Sequence, residues 1–253
     1  MEIGTMKKIT ASQIITVLAT LITITINALA NILPINGLDT GEISDRFDIF
    51  FVPAGYVFSI WGLIYLGLVA YTVFQVLPSQ ADNPVLKKIA PYYWLSSAAN
   101  SIWIFLWHYE VFSVTLVAMV VILASLLVIY RSLAGPTGLD KWLVKLPFSV
   151  YLGWISVATI ANASQTLFFF GWNGWGISPQ VWTVGMLVIA GLLGGLMSWR
   201  ENDTPFVLVL IWAFIGITVS QAGASLVVNA AWAVVVFLVL ALFAGIYKYK
   251  KVY

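Results

Sequence analysis

Charged residues divide this chain into long uncharged runs, and the runs set the element count. Residues 9–38 hold one apolar helix and its exit, and residues 49–81 hold a second. Runs 89–107 and 111–130 make a third and a fourth, with only His108, Tyr109 and Glu110 between them. Residues 146–199 carry no charge for 54 positions. At 1.5 Å per residue that is about 81 Å of helix against a hydrocarbon core of about 30 Å. The run therefore folds back, and the GWNGWGISP stretch at 171–179 supplies the turn. Residues 204–247 are uncharged for 44 positions, with Gln221, Ala222 and Gly223 marking a tight return. The pattern predicts an all-α polytopic membrane bundle of eight transmembrane helices. A re-entrant hairpin over 205–220 is the alternative for the last pair.

Composition removes the other fold classes. The 253 residues are 61% hydrophobic and 9% charged, with a mean hydropathy of +0.97. Soluble domains carry roughly 25% charged residues, so a water-soluble fold is excluded. The period-two alternation of an outer-membrane barrel is missing. Without cysteine there is no disulfide, thiolate metal site or cysteine nucleophile.

Charge placement orients the bundle. With the N-terminus in the cytoplasm, Lys7, Lys8, Lys87, Lys88, Arg131, Lys141, Lys145, Arg200, Lys248, Lys250 and Lys251 all lie inside. Only Arg46 lies outside, in a loop that also carries Asp39, Glu42, Asp45 and Asp48. Both termini are expected in the cytoplasm. The first span has signal-peptide features in Lys7, Lys8 and Ala28-Leu29-Ala30, but its apolar run outlasts a signal core, so it is expected to remain as a span.

In that orientation one set of side chains gathers in the outer half. Phe58, Trp61 and Tyr65 follow at intervals of three and four, so they share a face of the second helix. Asn100, Trp103 and Trp107 do the same on the third, and Trp154, Ala158 and Asn162 form a continuous face on the fifth. Asn27 and Asn31 sit at matching depth on the first, while the 39–48 loop and Pro53 close the same end. An unpaired amide in hydrocarbon is costly, so these asparagines face inward. Singly, each amide is explained by an interhelical hydrogen bond. Taken with the indoles, and with Ala158 leaving a gap, they outline a pocket for a flat, largely apolar ligand with a few polar edges. The candidate ligand-binding residues are Phe58, Trp61, Tyr65, Asn31, Asn100, Trp103, Trp107, Trp154, Ala158 and Asn162.

Other features have plainer readings. Trp142, Trp172, Trp175 and Trp199 fall near the membrane surfaces, where indoles anchor helices. Gly191, Gly194 and Gly195 mark close helix packing. His108, beside Glu110 in a short outer loop, reads as an interfacial side chain rather than a haem or metal ligand. No predicted span carries Asp, Glu, Lys or Arg, which disfavours a proton antiporter. There is no Ser-His-Asp pattern or phosphate-binding glycine loop, so neither a catalytic nor a metal residue is assigned.

Pro53 followed by Phe58-x-x-Trp61-x-x-x-Tyr65 resembles the second-helix signature of the tryptophan-rich sensory protein/translocator protein family (TspO and the peripheral benzodiazepine receptor). Asn100-x-x-Trp103 resembles its third-helix motif, and Trp154-x-x-x-Ala158-x-x-x-Asn162 its fifth-helix motif. The resemblance covers residues 10–170. It implies a five-helix core over 1–170 that binds tetrapyrroles, sterols or synthetic aromatic ligands, with the first loop as a lid. Trp61 and Trp154 would flank the ligand, Ala158 would give it room, and Asn100 and Asn162 would be polar core positions. Residues 171–253 would add three transmembrane helices and a basic cytoplasmic tail. Pro53-Ala54 replaces the family's Pro-Pro, and the proline ahead of the fifth-helix tryptophan lies further off, at Pro147. These departures bear on tetrapyrrole specificity more than on the fold.

The expected function is binding of a hydrophobic aromatic molecule, tetrapyrrole- or sterol-like, in a sensory or regulatory role. Porphyrin or haem would be the ligand rather than a resident cofactor. A facilitative transporter of a small lipophilic or zwitterionic solute is the alternative, and an enzyme that degrades porphyrin in light through its indoles is a third reading. The expected partners are the lipid bilayer and the small ligand, with no nucleic acid. The extra helices leave a homodimer open. The resemblance puts the chain in a bacterial inner membrane.

Overall fold

The computed structural model describes residues 9–33, 35–133, 135 and 138–252; Lys7 and Lys8 lie outside the described residues. Eight long helices run through them: α1 (Ala11–Ile32), α2 (Ile60–Val76), α3 (Pro84–His108), α4 (Phe112–Ser132), α5 (Leu146–Phe169), α6 (Pro179–Glu201), α7 (Thr204–Ser220) and α8 (Ser225–Val252). No strand occurs among the described residues. Six of the eight are long and apolar enough to cross a membrane. α3 is less apolar because it carries Lys87, Lys88 and a run of Ser and Asn, and α7 is apolar but only 17 residues long.

The sequence ends these helices as well as filling them. Thr10 caps α1 through a capping box with Gln13, Asn83 caps α3 just before Pro84, and Ser178 caps α6 just before Pro179. Asn202, left-handed at φ 49°, stops α6, and Asp203 at once caps α7 by accepting from the Phe206 amide. α7 then links the two ends of the bundle. Asp203 at its start accepts from Tyr130, while Ser220 at its end donates to the Val52 carbonyl. It is a full traverse, so the hairpin alternative is set aside.

Helix α1 shows which solvent the bundle is built for. Five of its six buried residues are polar, Gln13, Thr16, Thr20, Thr23 and Asn27 at intervals of three and four, with Ala30 the sixth, while Leu18, Leu21 and Ile22 are exposed. In water that arrangement would be inside out; in a bilayer it hides the polar stripe and offers hydrocarbon to lipid. The stripe is fully used. Thr20 Oγ1 lies 2.7 Å from Thr72 Oγ1 and 2.6 Å from Tyr93 Oη, the Trp94 indole donates to Thr16 at 2.9 Å, and Gln13 and Gln75 exchange side-chain-to-backbone bonds.

Small residues set the remaining packing. A Cβ on Gly191 would lie 2.5 Å from Val234, and one on Gly194 would lie 2.7 Å from both Leu210 and Leu238, which bears out the packing role read for these glycines. Gly153 of α5 faces the α7 backbone, where a Cβ would lie 3.1 Å from the Phe206 carbonyl oxygen. One apolar cluster therefore runs across residue 170, from Ile64, Tyr71 and Phe148 through Phe214 and Val227 to Leu238.

Candidate functional site

Two ends of the bundle can be told apart by charge. One carries Asp39, Glu42, Asp45, Asp48 and Glu110 with Arg46, and is called here the acidic end; the other carries the remaining described lysines and arginines. The chain between α1 and α2 covers the acidic end. It forms a short helix (Thr40–Asp45) capped by Asp39, then an irregular stretch through Pro53, then a 3-10 turn (Gly55–Ser59) that runs into α2.

Two different helices hold this cover. α3 holds its first half: His108 Nδ1 donates to the Ile35 carbonyl at 3.0 Å, which leaves Nε2 facing Thr40 Oγ1 at 3.1 Å. The Trp107 indole donates to the Thr40 carbonyl at 3.2 Å, and Arg46 pairs with Glu110. His108 is thus a buried latch with both ring nitrogens engaged, not the interfacial side chain expected from its loop position. α7 holds the second half. Its Gly216 carbonyl accepts from the Ala54 amide at 3.0 Å, Ser220 Oγ donates to the Val52 carbonyl at 2.6 Å, Gln221 Nε2 to the Ile49 carbonyl at 3.3 Å, and the Trp212 indole to the Val57 carbonyl at 3.2 Å.

Beneath the cover lies a cavity of about 60 Å³. Thr40, Ser44, Val52 and Pro53 roof it, Phe58 lines it from the 3-10 turn and Trp61 from the start of α2. α3 contributes Asn100, Trp103 and Trp107, α4 contributes Met119 and Ile122, and α5 contributes Trp154, Ala158, Asn162 and Gln165 among others. Eight of the ten residues expected at a ligand site are thereby brought together. Tyr65 and Asn31 do not line the cavity. Tyr65 lies one turn further along α2, where its ring stacks on Trp61 at 5.6 Å, and Asn31 is exposed in the last turn of α1, donating to the Asn27 carbonyl.

The rings within the site touch one another. Trp61 and Trp154 meet edge to face with centroids 6.3 Å apart, Phe58 meets Trp154 at 5.6 Å, and Trp103 stacks on Trp107 at 5.1 Å. These are ordinary attractive ring geometries. They leave no slot between Trp61 and Trp154 for a flat molecule, so a ligand flanked by both requires the rings to part.

Most polar groups here are already paired. Asn27 donates to Asn100 at 2.7 Å, and Asn100 donates to the Tyr151 hydroxyl at 3.3 Å. The Trp103 indole donates to Asn162 at 3.3 Å, and Asn162 donates to Thr115 at 3.0 Å. The two amides therefore cross-link α1, α3, α4 and α5. One donor stands apart. Trp154 is 2% exposed, and among the described residues its indole nitrogen has no partner.

Sequence reasoning missed several lining residues. Gln165 donates to Ser44 at 3.1 Å and extends the Trp154, Ala158, Asn162 face by one further step of three, a spacing legible in the sequence. Met119, Ile122 and Val52 carry no such signal. Among the described residues no cluster of His, Cys, Asp or Glu has the make-up of a metal site.

No curated protein and no solved structure matches the chain. A family model described as TSPO-like protein matches residues 13–244, which takes in α6, α7 and most of α8 as well as the first five helices. The chain is an integral membrane protein of the TSPO-like protein family.

Proposed function

We propose that this protein binds a flat, apolar molecule with a hydrogen-bond acceptor on its edge, tetrapyrrole- or sterol-like, in the cavity beneath the cover. Occupancy would be reported through the cover itself. The observation that carries this reading is the unpartnered indole N–H of buried Trp154 on the cavity wall. A buried donor without an acceptor costs about 1–3 kcal/mol, which a ligand carbonyl, carboxylate or hydroxyl oxygen would recover.

The present cavity, about 60 Å³, has room for a few waters. Sites for drug-sized ligands run to about 300–1,000 Å³, so binding opens this one. Opening would shift the half-buried Trp61 and Phe58 and lift the cover, which is held by its hydrogen bonds to α3 and α7 and by the buried side chains of Ile43, Phe51 and Val57. Any such movement strains the links to α3 and α7, which gives occupancy an outward sign. By the positive-inside rule the acidic end faces away from the cytoplasm, and a bacterial inner membrane fits that topology. An imidazole-ligated haem does not fit. The single histidine is committed to Ile35 and Thr40 and lies off the cavity wall. A metal-free tetrapyrrole or a sterol suits the walls better.

The test is a titration of the detergent-solubilised protein with metal-free protoporphyrin and with a fluorescent sterol, read by tryptophan quenching. One of the two should give saturable quenching, weakened about tenfold in Trp154→Phe, the equivalent of one lost hydrogen bond. Flat curves for both ligands overturn the assignment. Time-dependent uptake of the bound ligand into proteoliposomes would favour a permease instead.

A further inference from the structure

We propose a second ligand site at the acidic end, outside the aromatic cavity and sharing no lining residue with it, that takes an organic ammonium cation carrying an apolar body. A cavity of about 380 Å³ opens between the 48–51 stretch of the cover, the last turns of α5 and the start of α6. That volume lies in the range of small-molecule sites. Its walls are aromatic, with Phe50, Phe168, Trp172 and Trp182 among them, and its one ionisable lining residue is Asp48.

The rings are held in place before any ligand arrives. The Trp182 indole donates to the Gly174 carbonyl at 2.9 Å, and its centroid lies 5.2 Å from Trp172 and 5.9 Å from Trp175. Gly174 has φ +64°, and a Cβ there would lie 3.4 Å from the Trp182 nitrogen, so the 171–176 turn and the indole fix each other. Trp172, assigned only to membrane anchoring by its sequence position, belongs to a preformed aromatic wall.

The charge selects the occupant. Asp48 is exposed, and among the described residues no hydrogen bond or ion pair engages its carboxylate. Arg46, the only basic side chain at this end among the described residues, is already paired with Glu110. Four further carboxylates share that end, so the local field attracts cations and repels anions. Aromatic faces beside a carboxylate form the chemistry that recognises quaternary and tertiary ammonium groups, and the apolar remainder of the cavity takes the attached hydrocarbon.

Two sources supply that chemistry, a choline or ethanolamine phospholipid from the adjacent leaflet and a free lipophilic amine. Calorimetric titration of the full chain in nanodiscs, with empty nanodiscs subtracted, tests the proposal. The probes are (naphthylmethyl)trimethylammonium and its uncharged carbon isostere, neopentylnaphthalene. The ammonium should bind at least about tenfold more tightly, the effect of a desolvated cation–π contact with a nearby carboxylate, and Asp48→Asn should erase that preference. Among the described residues Asp48 has no side-chain partner to lose, so the variant should keep the wild-type melting temperature. Weaker ammonium binding in phosphatidylcholine discs than in discs of an uncharged glycolipid supports the site and assigns a lipid headgroup; equal affinity supports it and assigns a free amine. Equal binding of probe and isostere, no saturable heat, or an unchanged preference in Asp48→Asn overturns it.

Discussion

Replacing Gly216 with alanine adds one carbon where α7 and the cover come closest. The new Cβ would lie 2.2 Å from Val57 Cγ2 and 3.0 Å from Pro53 Cβ, against an ordinary carbon contact of about 3.5–4 Å. Val57 is buried on the turn into α2 and Pro53 is buried just before it, so they cannot both yield without moving the cover. Overpacking of this kind costs about 1–3 kcal/mol. Displacing the Ala54 amide from the Gly216 carbonyl adds about 1 kcal/mol, for a total of about 2–4 kcal/mol. At about 2–4 °C per kcal/mol for a chain of this length, the apparent Tm in detergent should fall by about 4–16 °C. Val57→Ala removes the atom at 2.2 Å and should return most of that loss when combined with Gly216→Ala, although it costs stability alone. The double-mutant cycle isolates the coupling. A Gly216→Ala protein that melts with the wild type, or a Val57→Ala change that adds its own loss without rescue, refutes the bracing of the cover by α7.

Two further substitutions probe other fastenings. Asp203→Ala should cost about 3 kcal/mol or more in thermal unfolding, because the buried carboxylate caps α7 and accepts from both the Tyr130 and Ser149 hydroxyls, whereas Asp203→Asn should lose roughly half as much. His108→Ala removes two bonds to the 35–40 stretch and should raise hydrogen exchange there about 30-fold, measured by mass spectrometry, with little change in global Tm.

The spans were legible because charge is excluded from hydrocarbon, and a run such as 146–199 has only one way to fit a bilayer. The aromatic and amide positions of α2, α3 and α5 were legible because helical spacing puts them on one face each. Asn31 shares the face of Asn27, but a helix's last turn can leave the bundle, and there it does. The polar stripe of α1 escaped because threonine is close to neutral in hydropathy, so Thr16, Thr20 and Thr23 read as part of an apolar run. The bracing role of α7 was not legible at all. Its bonds meet the backbone of Ile49, Val52, Ala54 and Val57, and backbone groups leave no residue-type signature. The same holds for His108, whose burial depends on a carbonyl 73 positions away.

The central claim, that the aromatic cavity is where the ligand sits, is tested most directly at Ala158. This residue lines the cavity, and no hydrogen bond of the site depends on its side chain. Ala158→Leu puts three carbons into space that is now open, a filling change that leaves stability level or raises it by about 0.5–2 kcal/mol. Protoporphyrin or sterol binding to this variant, measured beside its Tm, is the measurement. The account requires affinity to fall at least about tenfold while Tm holds or rises. Wild-type affinity in a protein whose cavity has been filled would contradict it.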